Sequence, residues 1–224
     1  MSTLYVVATP IGNLQDISLR ALEVFKSVDI IICEDTRVTR KLLDHYKIKT
    51  RLMVYHQQSN VIQSKKVLDL FSQDIEAALV TDAGTPGIQD PGNKLVAEII
   101  KKYKSAVKIT PIPGPSALTT LASVSGLPTD SLLFLGYWPK KKGTQKVINE
   151  IRQAKRTVVF FETGPRIMKT LGLLAKIIDH RQVVVGREMT KQFEIIYRGT
   201  AEEVFIQINN TSIKGEFVVL VGKN

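Results

Sequence analysis

Residues 77–92, AALVTDAGTPGIQDPG, join a short apolar run to a loop rich in glycine and proline. The run AALVT is typical of a buried strand. Apolar residues at helical spacing follow over Leu95–Tyr103, so the predicted order is strand, loop, helix. Such units build parallel sheets, in which ligands bind at the loops beyond the carboxyl ends of the strands.

Two other segments have the same form. The predicted strand Leu4–Ala8 precedes loop A (Thr9–Asn13), and the strand Val107–Thr110 precedes loop C (Pro111–Ser116), while loop B is Asp82–Gly92. The chain has 14 glycines and 9 prolines, and eleven of them lie in these three loops, which make up about a tenth of the sequence. Glycine lets a backbone approach a ligand closely and proline holds a loop rigid. Ordinary strand-to-helix turns are the alternative, but three such loops favour a binding crevice.

The predicted strands and helices alternate over the first 125 residues, which indicates an α/β domain with a mostly parallel sheet. Turn-forming residues cluster at Gly126–Asp130, and the segments after them indicate a mixed sheet that ends with the strand Glu216–Val221. We therefore predict an N-terminal α/β domain at residues 1–126 and a C-terminal α/β domain at 130–224.

Composition limits the possible functions. Lys and Arg total 31 against 21 Asp and Glu, a net charge of +10, which favours a polyanionic partner such as nucleic acid. Cys33 is the only cysteine and the three histidines are far apart, so we expect no metal. No apolar run approaches the roughly 20 residues of a membrane span and no signal peptide is evident, so we expect a cytoplasmic protein.

Common ligand fingerprints are absent. The sequence contains no G-x-x-x-x-G-K-[ST], no G-x-G-x-x-G and no G-x-S-x-G. These absences argue against a P-loop nucleotide site, a dinucleotide-binding site and a hydrolase nucleophile elbow.

A basic region follows the predicted linker. Tyr137 and Trp138 precede Lys140, Lys141 and Lys142, and seven Lys or Arg against one acid occupy residues 140–156. Lysines beside aromatic residues suit phosphate contacts and base stacking, so we predict RNA contact here. A solvated loop with Trp138 packed on the core is the alternative. Arg37, Arg40 and Lys41 are expected to form a second basic edge.

Several blocks resemble a known bacterial family. They are LYVVATPIGN at 4–13, EDTR at 34–37, VTDAGTPGIQDPG at 80–92, PGPSA at 113–117, FFE at 160–162, REMTK at 187–191 and KGEFVVLV at 214–221. In this order they resemble the 16S rRNA (cytidine 2′-O-ribose) methyltransferases of the tetrapyrrole (corrin/porphyrin) methylase superfamily. Many relatives continue beyond the last strand, so RNA docking by such a region is not expected here. Pro165 also stands where relatives often have histidine.

The resemblance implies a two-domain tetrapyrrole-methylase-like fold, with S-adenosyl-L-methionine in the inter-domain cleft, and a homodimer. The implied cofactor contacts are Pro10, Ala83, Gly84, Thr85, Ile88, Ser116, Ala117, Phe161 and Gly186. The implied acceptor is 16S rRNA or the small ribosomal subunit, and the predicted RNA-binding residues are Arg37, Arg40, Trp138, Lys140, Lys141, Lys142, Arg187 and Lys191.

Methyl transfer to a ribose 2′-OH calls for a nearby base, because the hydroxyl must lose its proton. Glu34, Asp35 and Glu188 lie near predicted strand ends, and we predict Glu34 or Asp35 as the catalytic residue. A helix-capping or ion-pair role with Arg37 or Arg187 is the alternative.

Two other functions stay open from the sequence. One is methylation of a porphyrin or corrin precursor, whose carboxylates also suit a basic site. The other is a non-catalytic RNA-binding factor of ribosome assembly.

Overall fold

The computed structural model describes residues 1–56, 61–90, 92–140 and 142–224, without the side chains of 61–63. The chain forms two compact units, Met1–Ser116 and Ala117–Asn224. The division lies ten residues before the predicted linker, because the helix Ala117–Val124 packs against the last strand of the second unit.

The first unit contains one sheet of five parallel strands. The strands are β1 (Ser2–Val7), β2 (Ile30–Cys33), β3 (Arg51–Val54), β4 (Glu76–Leu79) and β5 (Val107–Ile112), in the order β3-β2-β4-β1-β5. The α-helices are α1 (Leu19–Ser27), α2 (Thr36–His45), α3 (Val61–Leu70) and α4 (Asn93–Tyr103), with short 3-10 turns at Leu14–Asp16 and Lys104–Ala106. The predicted parallel sheet is thereby confirmed.

Both faces of this sheet are buried, as the apolar run IIIC predicts. Side chains alternate along a strand, so Ile30 and Ile32 pack with Leu95 of α4 while Ile31 packs with Phe25 of α1 on the other face. Helix α1 begins after Ser18, whose hydroxyl accepts a hydrogen bond from the amide of Ala21. Asp16, whose residue type also suits a helix cap, instead ends a 3-10 turn before this helix.

The second unit contains a mixed sheet of five strands in the order β6-β7-β10-β8-β9. Its strands are β6 (Leu132–Tyr137), β7 (Thr157–Thr163), β8 (Val183–Arg187), β9 (Ile195–Gly199) and β10 (Glu216–Val221). Its helices are α5 (Ala117–Val124), α6 (Thr144–Gln153), α7 (Gly164–Leu174) and α8 (Ala201–Asn209). Strands β6 and β7 are parallel and the other pairs are antiparallel, which confirms the predicted mixed sheet. Helix α8 begins with a capping box formed by Thr200 and Glu203.

Across the described ranges, no helix combines the length and the apolar character that a membrane span needs.

Candidate functional site

The carboxyl ends of the first sheet meet at one edge, because all five strands are parallel. Across this edge the residues after the strands are His56 (β3), Glu34 and Asp35 (β2), Asp82 (β4), Thr9 (β1) and Pro113 (β5). The topology therefore places loops B, A and C side by side, and the acidic residues next to loop B.

Hydrogen bonds join the three loops. The amide of Thr9 donates to the carbonyl of Gly84 at 2.9 Å, and the amide of Gly84 donates back to Thr9 at 3.0 Å. The buried hydroxyl of Thr9 donates to the carbonyl of Thr81 at 3.1 Å. In loop B the hydroxyl of Thr85 donates to the carbonyl of Pro115 in loop C at 3.2 Å. Loops A, B and C thus form one connected structure, and the binding crevice that they would line stays a prediction.

Two glycines allow this close approach. Gly84 has a φ of +82°, in the left-handed region that side chains disfavour. A Cβ on Gly114 would lie 3.1 Å from the Cβ of Ala8, a tight contact, so glycine favours the close approach of loop C to the end of β1. These backbone requirements account for Gly84 in the DAGTPG block and Gly114 in the PGPSA block.

Six predicted cofactor residues lie in these loops of the first unit. Pro10 and Gly84 are buried, Thr85 and Ser116 are partly buried, and Ala83 and Ile88 are exposed. The exposed fraction of Ile88 is 43%, which is high for an apolar residue in a loop held so firmly. The first unit therefore presents apolar surface next to polar backbone, a combination common in small-molecule sites.

The other three predicted cofactor residues belong to the second unit. Ala117 is the first residue of α5, and Phe161 on β7 lies edge-on to the rings of Phe134 and Tyr137. Gly186 on β8 is buried, and a Cβ there would come within 2.5 Å of the sulfur of Met189. Their contact with a cofactor, and the predicted inter-domain cleft, stay predictions from the resemblance.

Of the two predicted catalytic acids, Asp35 is a helix cap. Its carboxylate accepts a hydrogen bond from the amide of Arg37 at 2.8 Å and forms an ion pair with the Arg37 guanidinium at 2.6 Å. These bonds to Arg37 lower the pKa of Asp35 to about 2. A carboxylate with so low a pKa is a weak base, so the prediction of Asp35 as the catalytic residue is replaced by the capping role.

Glu34 has a different environment. Burial raises its pKa, and the negative charge of Asp82 raises it further. The pKa of Asp82 is also raised, mainly by burial, while its carboxylate accepts a hydrogen bond from the amide of Asp35 at 3.2 Å. Sequence reasoning missed Asp82 as an acid of this site, although its position at the start of loop B was the available signal. Among the described side chains, no group of three His, Cys, Asp or Glu is arranged to hold a metal ion.

The predicted RNA contacts of the first unit lie at the start of α2. Arg37 is exposed and is held by Asp35, while Arg40 is partly exposed one turn later. They form a basic edge beside the acidic residues at the end of β2.

The second sheet also gathers its predicted contacts at one edge. Strands β6, β7 and β8 run in the same direction, so the loops that follow them leave the sheet on the same side. Lys140 and Lys142 after β6 are exposed, and Lys191 after β8 is partly buried. Lys141 lies outside the described residues. The amine of Lys191 contacts Glu188 at 3.1 Å and Glu216 at 2.8 Å, so part of its charge is already neutralised.

Two predicted RNA contacts are wrong for a physical reason. Trp138 is 5% exposed and its ring packs on Phe160 at a centroid distance of 5.1 Å, so it belongs to the core and cannot stack on a base. Arg187 is 8% exposed, and its Nε donates to the carbonyl of Lys214 at 2.7 Å. Both residues are structural.

Comparisons with known proteins agree with this geometry. Residues 3–204 match the family of Tetrapyrrole (Corrin/Porphyrin) Methylases. The chain is 42% identical over 223 residues to the "Ribosomal RNA small subunit methyltransferase I" of Halalkalibacterium halodurans, covering 99% of this chain and 76% of that protein. It is 38% identical to the protein of that name from Thermotoga maritima, with 100% of both chains covered.

Solved structures share the fold at low sequence identity. A diphthine synthase superposes with a TM-score of 0.71 at 15% identity, covering 99% of this chain and 90% of that chain. A uroporphyrin-III C-methyl transferase of Thermus thermophilus, complexed with S-adenyl homocysteine, gives 0.66 at 16% identity and covers 98% and 97%. These likenesses establish the architecture.

Proposed function

The chain belongs to the tetrapyrrole (corrin/porphyrin) methylase family, and we propose that it transfers a methyl group from S-adenosylmethionine to the ribose 2′-OH of a cytidine in small-subunit rRNA. The observation that carries the proposal is the connected structure of loops A, B and C, in a chain that matches a relative named as an rRNA methyltransferase over its whole length. A methyl donor bound at these loops would have Glu34 and Asp82 on one side, because β2 lies next to β4.

The first unit fits such a donor. S-adenosylmethionine combines a flat adenine with a zwitterionic amino acid and a positive sulfur. Exposed Ile88 and Ala83 offer apolar surface, and Gly84 and Gly114 let the backbones of loops A, B and C approach one another closely. The acids Glu34 and Asp82 complement the positive charge of the donor.

The chemistry divides between donor and protein. When bound, S-adenosylmethionine supplies a methyl group on a positive sulfur, which an in-line nucleophile displaces. The ribose oxygen forms the new C–O bond, the S–C bond breaks, and the hydroxyl proton has to leave. We propose Glu34 as its acceptor, because burial and Asp82 raise the pKa of Glu34 and so make its carboxylate a better base than Asp35.

The acceptor would be held by basic residues. Lys140 and Lys142 are exposed after β6, Lys191 follows β8 at the same edge of the second sheet, and Arg37 and Arg40 lie on α2. Lysine and arginine bind phosphates through charge, with an affinity that falls as salt rises. The net charge of +10 supports the same partner. With rRNA as the acceptor, we also propose a cytoplasmic location and retain the homodimer, which sedimentation velocity would test.

Transfer of label tests the proposal. The purified protein would be incubated with methyl-tritiated S-adenosylmethionine and, separately, small ribosomal subunits lacking the modification, naked 16S rRNA and a tetrapyrrole precursor. We expect label in 2′-O-methylcytidine of the rRNA, identified by nucleoside mass spectrometry, and its loss in Glu34→Gln. Label in the tetrapyrrole alone would identify a precursor methylase, and donor binding without transfer would favour a non-catalytic assembly factor.

A further inference from the structure

A partly buried ion pair connects three segments of the second unit. Glu162 near the end of β7 has a fully buried side chain that contacts the Arg166 guanidinium in the first turn of α7 at 2.5 Å. The carboxylate also accepts hydrogen bonds from the amide of Thr163 at 2.8 Å and the hydroxyl of Thr170 at 2.7 Å. Arg166 in turn donates to the carbonyl of Trp138 at 3.1 Å, at the end of β6. The pair therefore joins β7 and α7 to the chain that leaves β6.

Stability does not by itself require this arrangement. A positive charge in the first turn of a helix opposes the helix dipole, so position 166 is unfavourable for arginine unless a partner compensates it. Replacing a buried ion pair with uncharged groups of similar volume is often neutral or stabilising. An apolar pair, however, could not donate to the Trp138 carbonyl. What arginine adds at this position is therefore the bond to the backbone after β6.

The hydrogen bond from Arg166 is one of three contacts that hold Trp138 in place. The amide of Trp138 donates to the carbonyl of Phe161 at 2.9 Å, its indole is buried against Phe160, and its carbonyl accepts from Arg166. The basic loop, defined by Pro139, Lys140, Lys142 and Gly143, begins at the next residue, and Lys140 and Lys142 are exposed. Gly143, with a φ of +96°, ends it at the start of α6. The direction in which the loop leaves the sheet is thus set at Trp138.

We propose that Arg166 is a positioning residue for the RNA acceptor: held by Glu162, it fixes the Trp138 carbonyl and thereby the place of the basic loop that binds RNA phosphates. This role rests on the proposed function, since it concerns how that reaction selects its acceptor. It assigns Arg166 no contact with the reacting atoms. The pair acts on acceptor affinity, and the bonds described above connect it to β7, α7 and Trp138 and not to loops A, B and C.

The test separates positioning from folding. Arg166→Met alone leaves Glu162 buried without its cation and is expected to destabilise the protein. The double variant Glu162→Gln/Arg166→Met removes both charges, keeps similar volumes and retains a hydrogen-bonding group beside Thr170, so it is expected to melt within about 4 °C of the wild type. Lys169→Met, an exposed charge on the same helix, is the matched control for loss of one cation.

For the double variant we expect a KM for rRNA about tenfold higher, a kcat changed less than about threefold and an unchanged Kd for S-adenosylmethionine. Lys140→Ala/Lys142→Ala should raise the KM for rRNA in the wild-type background. In the Glu162→Gln/Arg166→Met background the same change should raise the KM little further, because the effects of coupled residues are not additive. Trp138, the only tryptophan, should become more accessible to acrylamide quenching in the double variant alone. Lys169→Met should resemble the wild type in each measurement.

Two results would overturn the positioning role while leaving the proposed function intact. One is a double variant that methylates rRNA with the wild-type KM. The other is full additivity, in which the increases in KM caused by Glu162→Gln/Arg166→Met and by Lys140→Ala/Lys142→Ala add when the variants are combined. A wild-type protein that binds S-adenosylmethionine but methylates no RNA would instead overturn the proposed function, and the positioning role with it.

Discussion

Gly84→Ala tests whether the hydrogen-bonded pair between loops A and B forms the donor site. The φ of Gly84 is +82°, and a left-handed conformation costs an L-residue about 1–2 kcal/mol. The added Cβ would lie 3.4 Å from Cγ2 of Ile11 and 3.8 Å from the carbonyl oxygen of Pro115, which are ordinary contacts. The whole cost is therefore backbone strain, and we expect the melting temperature to fall by roughly 2–8 °C.

The same strain should weaken donor binding. Rotating the Gly84 peptide to relieve it loosens the two hydrogen bonds with Thr9, each worth about 1 kcal/mol. A ligand that needs the original loop must restore them, so the Kd for S-adenosylmethionine should rise about tenfold to thirtyfold. Isothermal titration calorimetry and thermal melting, on the same protein samples, would measure the two effects.

Gly126→Ala is the matched control. Gly126 has a φ of +74°, and a Cβ there would have no neighbour within 4 Å among the described residues. We expect a similar loss of stability and an unchanged Kd, since Gly126 lies outside loops A, B and C. Equal weakening of binding by both variants, or wild-type affinity in Gly84→Ala, would refute the reasoning.

The other predictions concern the acid, the lysines and the packing of α7. The acidic limb of the kcat/KM profile should lie above the usual glutamate range, because Glu34 is active as a carboxylate and its pKa is raised. If the Glu34→Gln variant keeps the same acidic limb in a pH–rate series, Glu34 is not the base. Lys140→Ala/Lys142→Ala should lower the slope of log affinity for single-stranded rRNA against log salt by about 1.4, and an unchanged slope in filter binding would remove both lysines from the interface. Gly164→Ala should destabilise by about 3 kcal/mol or more, because its Cβ would meet the carbonyl oxygen of Ile213 at 2.2 Å. Gly172→Ala in the same helix, where the nearest atom is 4.0 Å away, should be neutral or stabilising in urea unfolding, and equal losses would contradict this account.

Local pattern predicted much of the architecture. The apolar runs located the strands, and the clustering of glycine and proline located the three loops at strand ends. The final strand matches its predicted bounds of Glu216–Val221. These features depend on neighbouring residues, so a single sequence contains the information that specifies them.

Long-range pairing could not be predicted in the same way. Asp82 is 47 residues from Asp35 in sequence, and only the order of β2 and β4 brings them together. Trp138 suggested a stacking platform because aromatic and basic residues were adjacent, yet the residue is buried while the lysines are exposed. Glu162 and Arg166 are four residues apart, which is the spacing of an ion pair on one helix. Glu162 instead lies at the end of a strand and Arg166 at the start of the next helix, so the sequence pattern did not indicate that their contact is partly buried.

The order of the first sheet also constrains how the chain acquires its structure during synthesis. Strand β1 lies between β4 and β5, which follow it by about 70 and 100 residues. At 5–20 residues per second, its apolar segment waits roughly 5–20 seconds on the ribosome before both partners have been made. Parallel pairing of such distant segments is intrinsically slow. We therefore expect nascent β1 to remain incompletely paired for longer than the other strands of this sheet, and synonymous codons that slow translation between residues 80 and 107 would lengthen that interval.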